Sequence, residues 1–386
     1  MIKAAILGTA HMHANEIALY ISGQPETTLV GCADVPALRP EQTEKRYTRA
    51  WNLKNIATTY SVPIFDDYQT LLDQTKPDVA YILCENVRKP EVARACAARG
   101  VNIILEKPMA MSRAEAQKIQ KLSEQFGIEV FVNWPVTWRT YLLQMKAAID
   151  QGLCGSLTKL RYLNGHTGPL GKGAKHRGVS EKADEMTDEE RAQTWWYWKA
   201  CGGGAFLDIL CYGCFFTRWM FGKMPEEVCA VGENLNTPFG DAEDNVAAIF
   251  RYPHAISVAE GTWTTPRRRM PTGPEAVCSD GVIWCDGVVD VAPTVCAADL
   301  YGEEVRVPEL EVGRAFQNMP WQYAAHVLEG KPMHETLTLP FNLEVMTMLD
   351  AAIRASETHT VVRICAENSE CAPLHPTNND EGRMKK

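Results

Sequence analysis

The sequence lacks several features that mark common protein classes. Its 386 residues contain no run approaching the roughly 20 apolar residues of a membrane-spanning helix. The amino terminus enters an apolar segment directly, without the layout of a secretory signal. Basic residues are in the minority, since 39 Lys and Arg stand against 48 Asp and Glu. We therefore expect a soluble, cytoplasmic protein with no membrane or nucleic-acid partner.

The cysteines lack the spacing of a metal site. There are 13 of them, scattered along the chain. Cys211 and Cys214 have Cys-x-x-Cys spacing, but they lie in an aromatic, helix-like run without a matching His or Cys pair. A basic run at 267–269 is too short to bind nucleic acid. We expect reduced cysteines in the core and no metal.

The first third of the chain alternates short apolar runs with helical patterns. Repeated βα units of this kind predict an α/β fold with a doubly wound parallel sheet. We assign residues 1–133 to a Rossmann domain. The apolar runs predicted to be its principal strands are 4–7, 28–33, 78–83, 101–105 and 129–133.

The turn after the first predicted strand has the layout of a dinucleotide-binding turn. The pattern G-x-G-x-x-G becomes Gly8, Ala10 and His13, so only its first glycine is kept, and an ordinary strand-turn-helix remains an alternative. Asp34 ends the second strand and favours NAD, because a carboxylate repels a 2′-phosphate. Arg39 nearby keeps NADP open. The predicted cofactor turn consists of Gly8, Thr9, Ala10, His11, Met12 and His13.

Two further strands end in polar residues. Glu106 and Lys107 follow the run at 101–105, and Pro108 stops it. The carboxyl edge of an open parallel sheet is where α/β folds bind ligands, so this pair is either functional or a surface ion pair. The strand at 78–83 ends at Cys84, Glu85 and Asn86, on the same edge.

The second half of the chain has a different pattern. Residues 134–365 predict an α+β domain with a largely antiparallel, open sheet, and a helix at about 342–356 that packs back on the first domain. An apolar outer face of that sheet would favour a homo-oligomer. Residues 366–386 form a polar tail with too few apolar residues to pack alone.

A glycine-rich segment completes a recognisable set of motifs. Gly202, Gly203 and Gly204 precede a helical run that carries Asp208 and Tyr212, spaced i, i+4 on one helical face. Together with the Rossmann turn, the segment 78–108 and the segment 336–356, this order resembles the Gfo/Idh/MocA family (glucose–fructose oxidoreductase, inositol dehydrogenase and MocA). The resemblance runs over nearly the whole chain.

The resemblance implies roles for individual residues. Lys107 is expected beside the nicotinamide and the substrate hydroxyl, with Asp208 and Tyr212 as its catalytic partners. The family usually has histidine where Tyr212 stands, so we expect Lys107 to lower the pKa of that tyrosine. Which of the three is the main acid or base stays open. Lys89 also replaces a family histidine and is predicted to be a surface residue. The remaining cofactor contacts implied are Cys84, Glu85, Asn86 and Glu106.

Three residues are candidates for substrate contact. His166 lies in a glycine-rich loop at 164–171, and a local hydrogen bond in a turn is its alternative role. Trp195 belongs to a run of four aromatics, where core packing or a subunit contact competes with stacking on a sugar. Asn133 ends a strand on the cofactor edge. Specificity is expected in the loops 164–171 and 263–275.

The resulting expectation is an NAD(P)-dependent oxidoreductase acting on a secondary alcohol or ketone of a sugar, cyclitol or glycoside. Two alternatives differ in class. One is an enzyme that holds NAD tightly and recycles it within a turnover. The other is a non-catalytic nucleotide-binding regulator.

Overall fold

The computed structural model describes residues 1–265, 273–286 and 293–364. The polar tail 366–386, the basic run 267–269 and most of the loop 263–275 therefore lie outside the described residues. Within the described ranges, helices that are both long and apolar enough to cross a membrane are absent.

The first sheet is a parallel Rossmann sheet, as predicted. Its six strands follow the order β3-β2-β1-β4-β5-β6, and every neighbouring pair is parallel. Strands β4 and β6 are buried along their whole length, which explains their continuous apolar runs. The elements are β1 (Ile2–Leu7), α1 (Ala14–Ser22), β2 (Thr27–Ala33), α2 (Arg49–Tyr60), β3 (Ile64–Phe65), α3 (Tyr68–Thr75), β4 (Val79–Ile82), α4 (Lys89–Ala97), β5 (Asn102–Glu106), α5 (Arg113–Phe126) and β6 (Val130–Asn133).

The second sheet is mixed and mostly antiparallel, again as predicted. Its eight strands follow the order β13-β12-β11-β7-β10-β9-β8-β14, and only β7 and β10 pair in parallel. The elements are α6 (Thr140–Asp150), β7 (Leu157–Gly165), α7 (Asp188–Ala192), α8 (Cys211–Phe221), β8 (Glu227–Glu233), β9 (Asn245–Arg251), β10 (Ile256–Thr262), β11 (Glu275–Cys278), β12 (Gly281–Asp286), β13 (Thr294–Asp299), α9 (Met319–Glu329), α10 (Leu339–Thr358) and β14 (Val362–Arg363).

The strands of the second sheet bury one face only. In β9 the side chains of Val246, Ala248 and Phe250 point into the core and alternate with exposed neighbours. The outer face carries apolar residues such as Val231 and Ile249, which are 59% and 45% exposed. Assembly of copies through this face stays a prediction.

Helix α10 connects the two halves of the chain. It packs on α5 of the first sheet's layer and on α8 and β8 of the second. Asn342 accepts a hydrogen bond from Trp134 Nε1 at 2.7 Å, and Asp350 accepts one from the backbone N–H of Arg113 at 3.4 Å. The carboxyl-terminal helix thereby packs back on the segment where the parallel sheet ends.

Candidate active site

The catalytic candidates meet where β5 ends. Lys107 is 3% exposed, and its ammonium donates to the backbone carbonyl of Asp208 at 2.8 Å and to Asp208 Oδ1 at 3.0 Å. Burial opposes the charge, but neighbouring Tyr212 and the Asp208 carboxylate raise the pKa of Lys107 well above its ordinary value. Lys107 is therefore a permanent cation at neutral pH.

Asp208 lies in a single π-helical turn, Phe206–Leu210, that precedes α8. Its second oxygen, Oδ2, accepts a hydrogen bond from Trp263 Nε1 at 3.0 Å and lies 3.4 Å from His166 Nε2. Burial opposes ionisation, yet Lys107, and then His166, hold the pKa of Asp208 below its ordinary value. The group is a carboxylate clamped between two sheets, because Lys107 comes from the first and His166 and Trp263 come from the second.

Tyr212 does not have the expected chemistry. Its ring face lies 4.6 Å from Lys107 Nζ, and its edge packs on Trp134. Burial raises the pKa of Tyr212 above its ordinary value, although Lys107 acts in the opposite direction. The expectation of a lowered pKa is wrong, because Tyr212 is 8% exposed and the desolvation of a phenolate outweighs the effect of Lys107.

Lys89 corrects a second expectation. It is 1% exposed, not a surface residue, and its ammonium donates to the carbonyls of Glu106 at 2.5 Å and Pro108 at 2.6 Å. Those carbonyls flank Lys107 on both sides. Burial lowers the pKa of Lys89 to about 8. Lys89 therefore holds the backbone that carries Lys107.

The predicted cofactor turn has the backbone that a dinucleotide needs. Gly8 has a φ of +84°, and a Cβ there would lie 2.6 Å from the backbone nitrogen of Cys84. The N–H of Thr9 donates to Asp34 Oδ1 at 2.9 Å, which joins the turn to the acid at the end of β2. Helix α1 begins just beyond the turn and directs its positive end towards it. These features fit NAD.

A buried arginine, Arg49, lies beside the acid that follows β2. Arg49 donates to Asp34 Oδ2 at 2.9 Å, forms a short ion pair with Glu85, and lies 4.0 Å from Glu41. Its charge is thus shared by three carboxylates at the position where the acid of β2 meets a ribose. Arg39, the expected partner of a 2′-phosphate, lies instead 3.7 Å over the ring of Trp198.

The remaining turn residues form a polar cluster with the end of β5. His13 Nδ1 is 3.0 Å from Glu106 Oε1, and Asn133 Nδ2 donates to Glu106 Oε2 at 3.1 Å. Ligand atoms of His11, His13 and Glu106 lie within 4.8 Å of one another, a separation from which they could approach a metal ion. Burial, and then the charges of His13, Lys107 and Lys89, lower the pKa of His11. Glu106 acts in the opposite direction on His13, whose pKa is raised although burial opposes its charge. The side chain of Asn133, a candidate for substrate contact, therefore contacts Glu106 in this structure.

Trp195 is buried and lies against the predicted cofactor turn. Its Nε1 donates to the carbonyl of Ala10 at 3.1 Å, and its ring stacks on Trp196 at 3.9 Å between centroids. Trp196 meets the ring of His11 edge-on at 4.9 Å. Met12 and the other turn residues from Gly8 to His11 are buried beneath this cover. These contacts are those of core packing, the alternative role of the aromatic run, and contact of Trp195 with a substrate stays a prediction.

A surface excursion at 172–191, which we name the strap, completes the cover. Arg46 NH1 pairs with Asp184 at 2.6 Å, and Lys45 Nζ pairs with Glu190 at 2.5 Å. The hydroxyl of Tyr47 donates to the carbonyl of Glu181 at 2.9 Å. The strap therefore attaches the second half of the chain to the loop before α2.

The glycine-rich segment also contacts the cofactor edge. Asn86 Nδ2 donates to the carbonyl of Gly202 at 2.7 Å, and a Cβ on Gly202 would lie 2.6 Å from Cβ of Asn86. Sequence reasoning missed Arg49 and Trp263, since each is distant along the chain from its partner. In the sequence, Glu85 and the aromatic residue at position 263 could have suggested these contacts. Neither residue by itself indicates that its partner is Arg49 or Asp208.

Two sequence models of one family match the chain. The oxidoreductase family with an NAD-binding Rossmann fold, Gfo/Idh/MocA, matches residues 2–134. The Gfo/Idh/MocA C-terminal domain matches residues 142–284. Together they cover more than half of the chain, all of the first sheet and most of the second.

Curated relatives and solved structures agree with these matches. A trans-1,2-dihydrobenzene-1,2-diol dehydrogenase of Xenopus tropicalis is 28% identical over 204 residues, which are 52% of this chain and 53% of the relative. The chain spans about half the length of the curated relatives it matches.

Among solved structures, the WlbA dehydrogenase of Bordetella pertussis in complex with NADH and UDP-GlcNAcA aligns with a TM-score of 0.73 at 18% identity, covering 95% of this chain and 99% of that one. Aldose-aldose oxidoreductase of Caulobacter crescentus with glycerol aligns with a TM-score of 0.72 at 18% identity, covering 94% and 99%. At these identities the alignments establish the fold. The chain belongs to the Gfo/Idh/MocA oxidoreductase family, whose first domain is an NAD-binding Rossmann fold.

Proposed function

We propose that this protein is an NAD-dependent dehydrogenase or reductase that interconverts a secondary alcohol and a ketone on a sugar, cyclitol or glycoside. The observation that carries the proposal is the Lys107–Asp208 pair, buried at the carboxyl edge of the parallel sheet with a separation of 3.0 Å. A structural ion pair would gain little there, because desolvation offsets most of the attraction between two buried charges.

Lys107 supplies the donor for the reacting oxygen. An ammonium has three N–H groups, and two of them reach Asp208. The third is left for a substrate hydroxyl or carbonyl oxygen. Because Lys107 stays charged, it stabilises the negative charge that develops on this oxygen in either direction of reaction.

Asp208 orients the groups around the reacting oxygen. Its carboxylate holds Lys107 on one oxygen and the indole N–H of Trp263 on the other. The pKa of Asp208 lies below its ordinary range, so it acts as a fixed negative charge and not as the proton donor. When bound, the nicotinamide supplies the hydride chemistry at C4.

The ribose end of the cleft supports NAD as the cofactor. The carboxylate of Asp34 already pairs with Arg49, and Glu85 and Glu41 lie beside the same guanidinium. Burial raises the pKa of Glu85 and raises that of Glu41 to about 7, so Asp34 carries most of this argument. An additional 2′-phosphate would enter this field at an electrostatic cost.

A hydride assay tests the proposal. The purified protein is incubated with NAD and a panel of aldoses, cyclitols, glycosides and sugar acids, and with NADH and keto-sugars, while absorbance of the reduced nicotinamide is followed. We expect turnover on at least one polyhydroxylated substrate. Binding of NADH without turnover on any of them would instead indicate a nucleotide-binding regulator.

The burial of the cofactor turn favours one variant of this function, in which NAD is retained between turnovers. Trp195 donates to the carbonyl of Ala10 in the turn, and the ring of His176 in the strap lies 5.6 Å from that of His13. Exchange of the cofactor would require displacement of both. A retained cofactor is detected by denaturing the purified protein and measuring released nucleotide. Protein free of nucleotide that turns over only with added NAD would exclude retention.

A further inference from the structure

The catalytic cluster contains an imidazole that the family pattern does not place there. The family's usual histidine position is Tyr212, whose ring is turned towards Lys107 and whose hydroxyl holds its proton tightly. Lys107 stays protonated and Asp208 stays ionised. None of these three groups is therefore suited to take and return a proton near neutral pH.

His166 occupies the complementary position from the opposite sheet. It follows the end of β7, and its Nε2 lies 3.4 Å from Asp208 Oδ2. The side chain is 32% exposed, so the ring contacts the buried carboxylate on one side and is open to solvent on another. Imidazole is the side chain that exchanges a proton most readily near neutrality.

The backbone of His166 is held firmly. Its N–H donates to the carbonyl of Thr262 at 3.0 Å, and its carbonyl accepts from Thr265 at 3.3 Å. The hydroxyl of Tyr197 donates to the carbonyl of Pro169 in the same loop at 3.0 Å. A loop fixed between two strands and a buried tyrosine keeps the imidazole in place, as a proton-transfer group requires.

The carboxylate determines which nitrogen of the ring is basic. Asp208 Oδ2 is an acceptor, so Nε2 of the neutral imidazole carries the hydrogen that faces it. Nδ1 then has the free lone pair. The arrangement is an acid that orients a base, as in the general pairing of a carboxylate with a catalytic histidine.

We propose that His166 is the catalytic base and acid of this protein, with Nδ1 as the atom that exchanges the proton and Asp208 as the group that orients the ring. In oxidation, the carbinol C–H bond breaks, and its hydrogen and electron pair leave as hydride, for which NAD⁺ is the acceptor. The O–H proton passes to His166 Nδ1, the C=O bond forms, and the imidazolium later releases its proton to solvent. This inference rests on the proposed function and identifies the residue that would exchange the substrate's hydroxyl proton.

The first test is kinetic. With a substrate found in the hydride assay, His166→Ala is expected to lower kcat/KM roughly 10²- to 10⁴-fold, the range for loss of a general acid–base group, and to leave the NADH dissociation constant within about threefold. Exogenous imidazole should restore part of the rate, because the ring position is open to solvent. His254→Asn, an exposed histidine in the turn between β9 and β10, is the matched control and should behave as wild type.

A double variant separates proton transfer from a structural role. Tyr212→His returns an imidazole to the family position, so His166→Ala/Tyr212→His should be faster than His166→Ala alone. If neither imidazole nor Tyr212→His restores activity, and the loss in His166→Ala follows KM and not kcat, His166 binds substrate only and the inference is overturned.

A second measurement does not depend on turnover. In protein labelled with ¹⁵N-histidine, the signal that disappears in His166→Asn is assigned to His166, and its nitrogen shifts report the tautomer. We expect hydrogen on Nε2 in the wild type and a mixture of tautomers in Asp208→Asn. Hydrogen on Nδ1 in the wild type would overturn the inference even if no substrate is turned over, whereas absence of turnover with the expected tautomer would overturn the proposed function alone.

Discussion

Two buried cations of this protein differ in their surroundings, one at the proposed reacting end of the site and the other at the proposed ribose end. At the reacting end, Lys107 has one carboxylate partner, Asp208. At the ribose end, Arg49 is shared among Asp34, Glu41 and Glu85. Two N–H groups of Lys107 reach Asp208. Arg49 pairs with Asp34 and Glu85, and its buried Nε has no hydrogen-bond partner among the described residues. Under the proposed function the two charges serve different purposes, since Lys107 donates to a reacting oxygen and the charge of Arg49 is offset by carboxylates that already pair with it.

Lys89 extends the comparison to a third case. Among the described residues it forms no ion pair, and it donates to two backbone carbonyls instead. Its pKa is lowered by burial to about 8, while the pKa of Lys107 is raised by its neighbours. The three cations thus differ in the number of carboxylates around them. We assign a structural role to Lys89, a reactive role to Lys107, and to Arg49 a role in discriminating NAD from NADP under the proposed function.

The largest expected effect comes from removing the reactive cation. Lys107→Met should lower kcat/KM by roughly 10³-fold, because it deletes the donor to the developing charge on the substrate oxygen. NADH binding should stay within a few-fold, as measured by fluorescence titration. Circular dichroism is the control for folding, since Asp208 is left as a buried carboxylate. A variant that keeps more than a tenth of wild-type activity would contradict the reactive role.

The second effect tests the discriminating end. Asp34→Ser removes one carboxylate and frees Arg49 to meet a 2′-phosphate, so the ratio of NADPH to NADH affinity should rise by roughly 10²-fold, two factors of ten in the dissociation constants. Arg39→Ala is the matched control, because its guanidinium lies over Trp198. An unchanged ratio in Asp34→Ser, or a large change in Arg39→Ala, would show that Arg39 and not the Arg49 group reads the phosphate.

The smallest effect concerns the structural cation. Lys89→Met should lower kcat by roughly tenfold with little change in cofactor affinity, because it releases the backbone that positions Lys107. The folded pKa of about 8 lies below the ordinary 10.5, so the native state loses this proton first as the pH rises. Wild type should therefore gain stability relative to Lys89→Met between about pH 8 and 10.5, and not below pH 8. Urea unfolding at several pH values measures this, and a pH-independent difference would contradict it.

The fold was predictable because its signals are local. Apolar runs separated by helical patterns predict the parallel sheet, and Ser112 three residues before Glu115 predicts the start of α5, where Ser112 does accept the N–H of Glu115 at 3.3 Å. For the aromatic run that contains Trp195, the sequence left core packing and sugar stacking as alternatives. Burial of a large aromatic ring favours core packing.

The site was predictable only in part because its energies depend on burial. The positions of Lys107 and Asp208 follow from their motifs, and the two side chains do meet. The burial of Lys89 and the raised pKa of Tyr212 depend on which elements cover them, which local sequence does not report. The role of Arg49 could not be predicted for a related reason. Its acidic neighbours, Asp34, Glu41 and Glu85, come from three separate segments that meet only in the folded chain.

The strap gives the two halves of the chain a mutual dependence. Its ion pairs at Arg46 and Lys45 are only partly shielded from water, with each partner about a quarter to a third exposed. At a physiological Debye length of about 8 Å such pairs weaken as salt is added. The rate at which cofactor enters or leaves would then respond to ionic strength, while the buried Lys107–Asp208 pair would not.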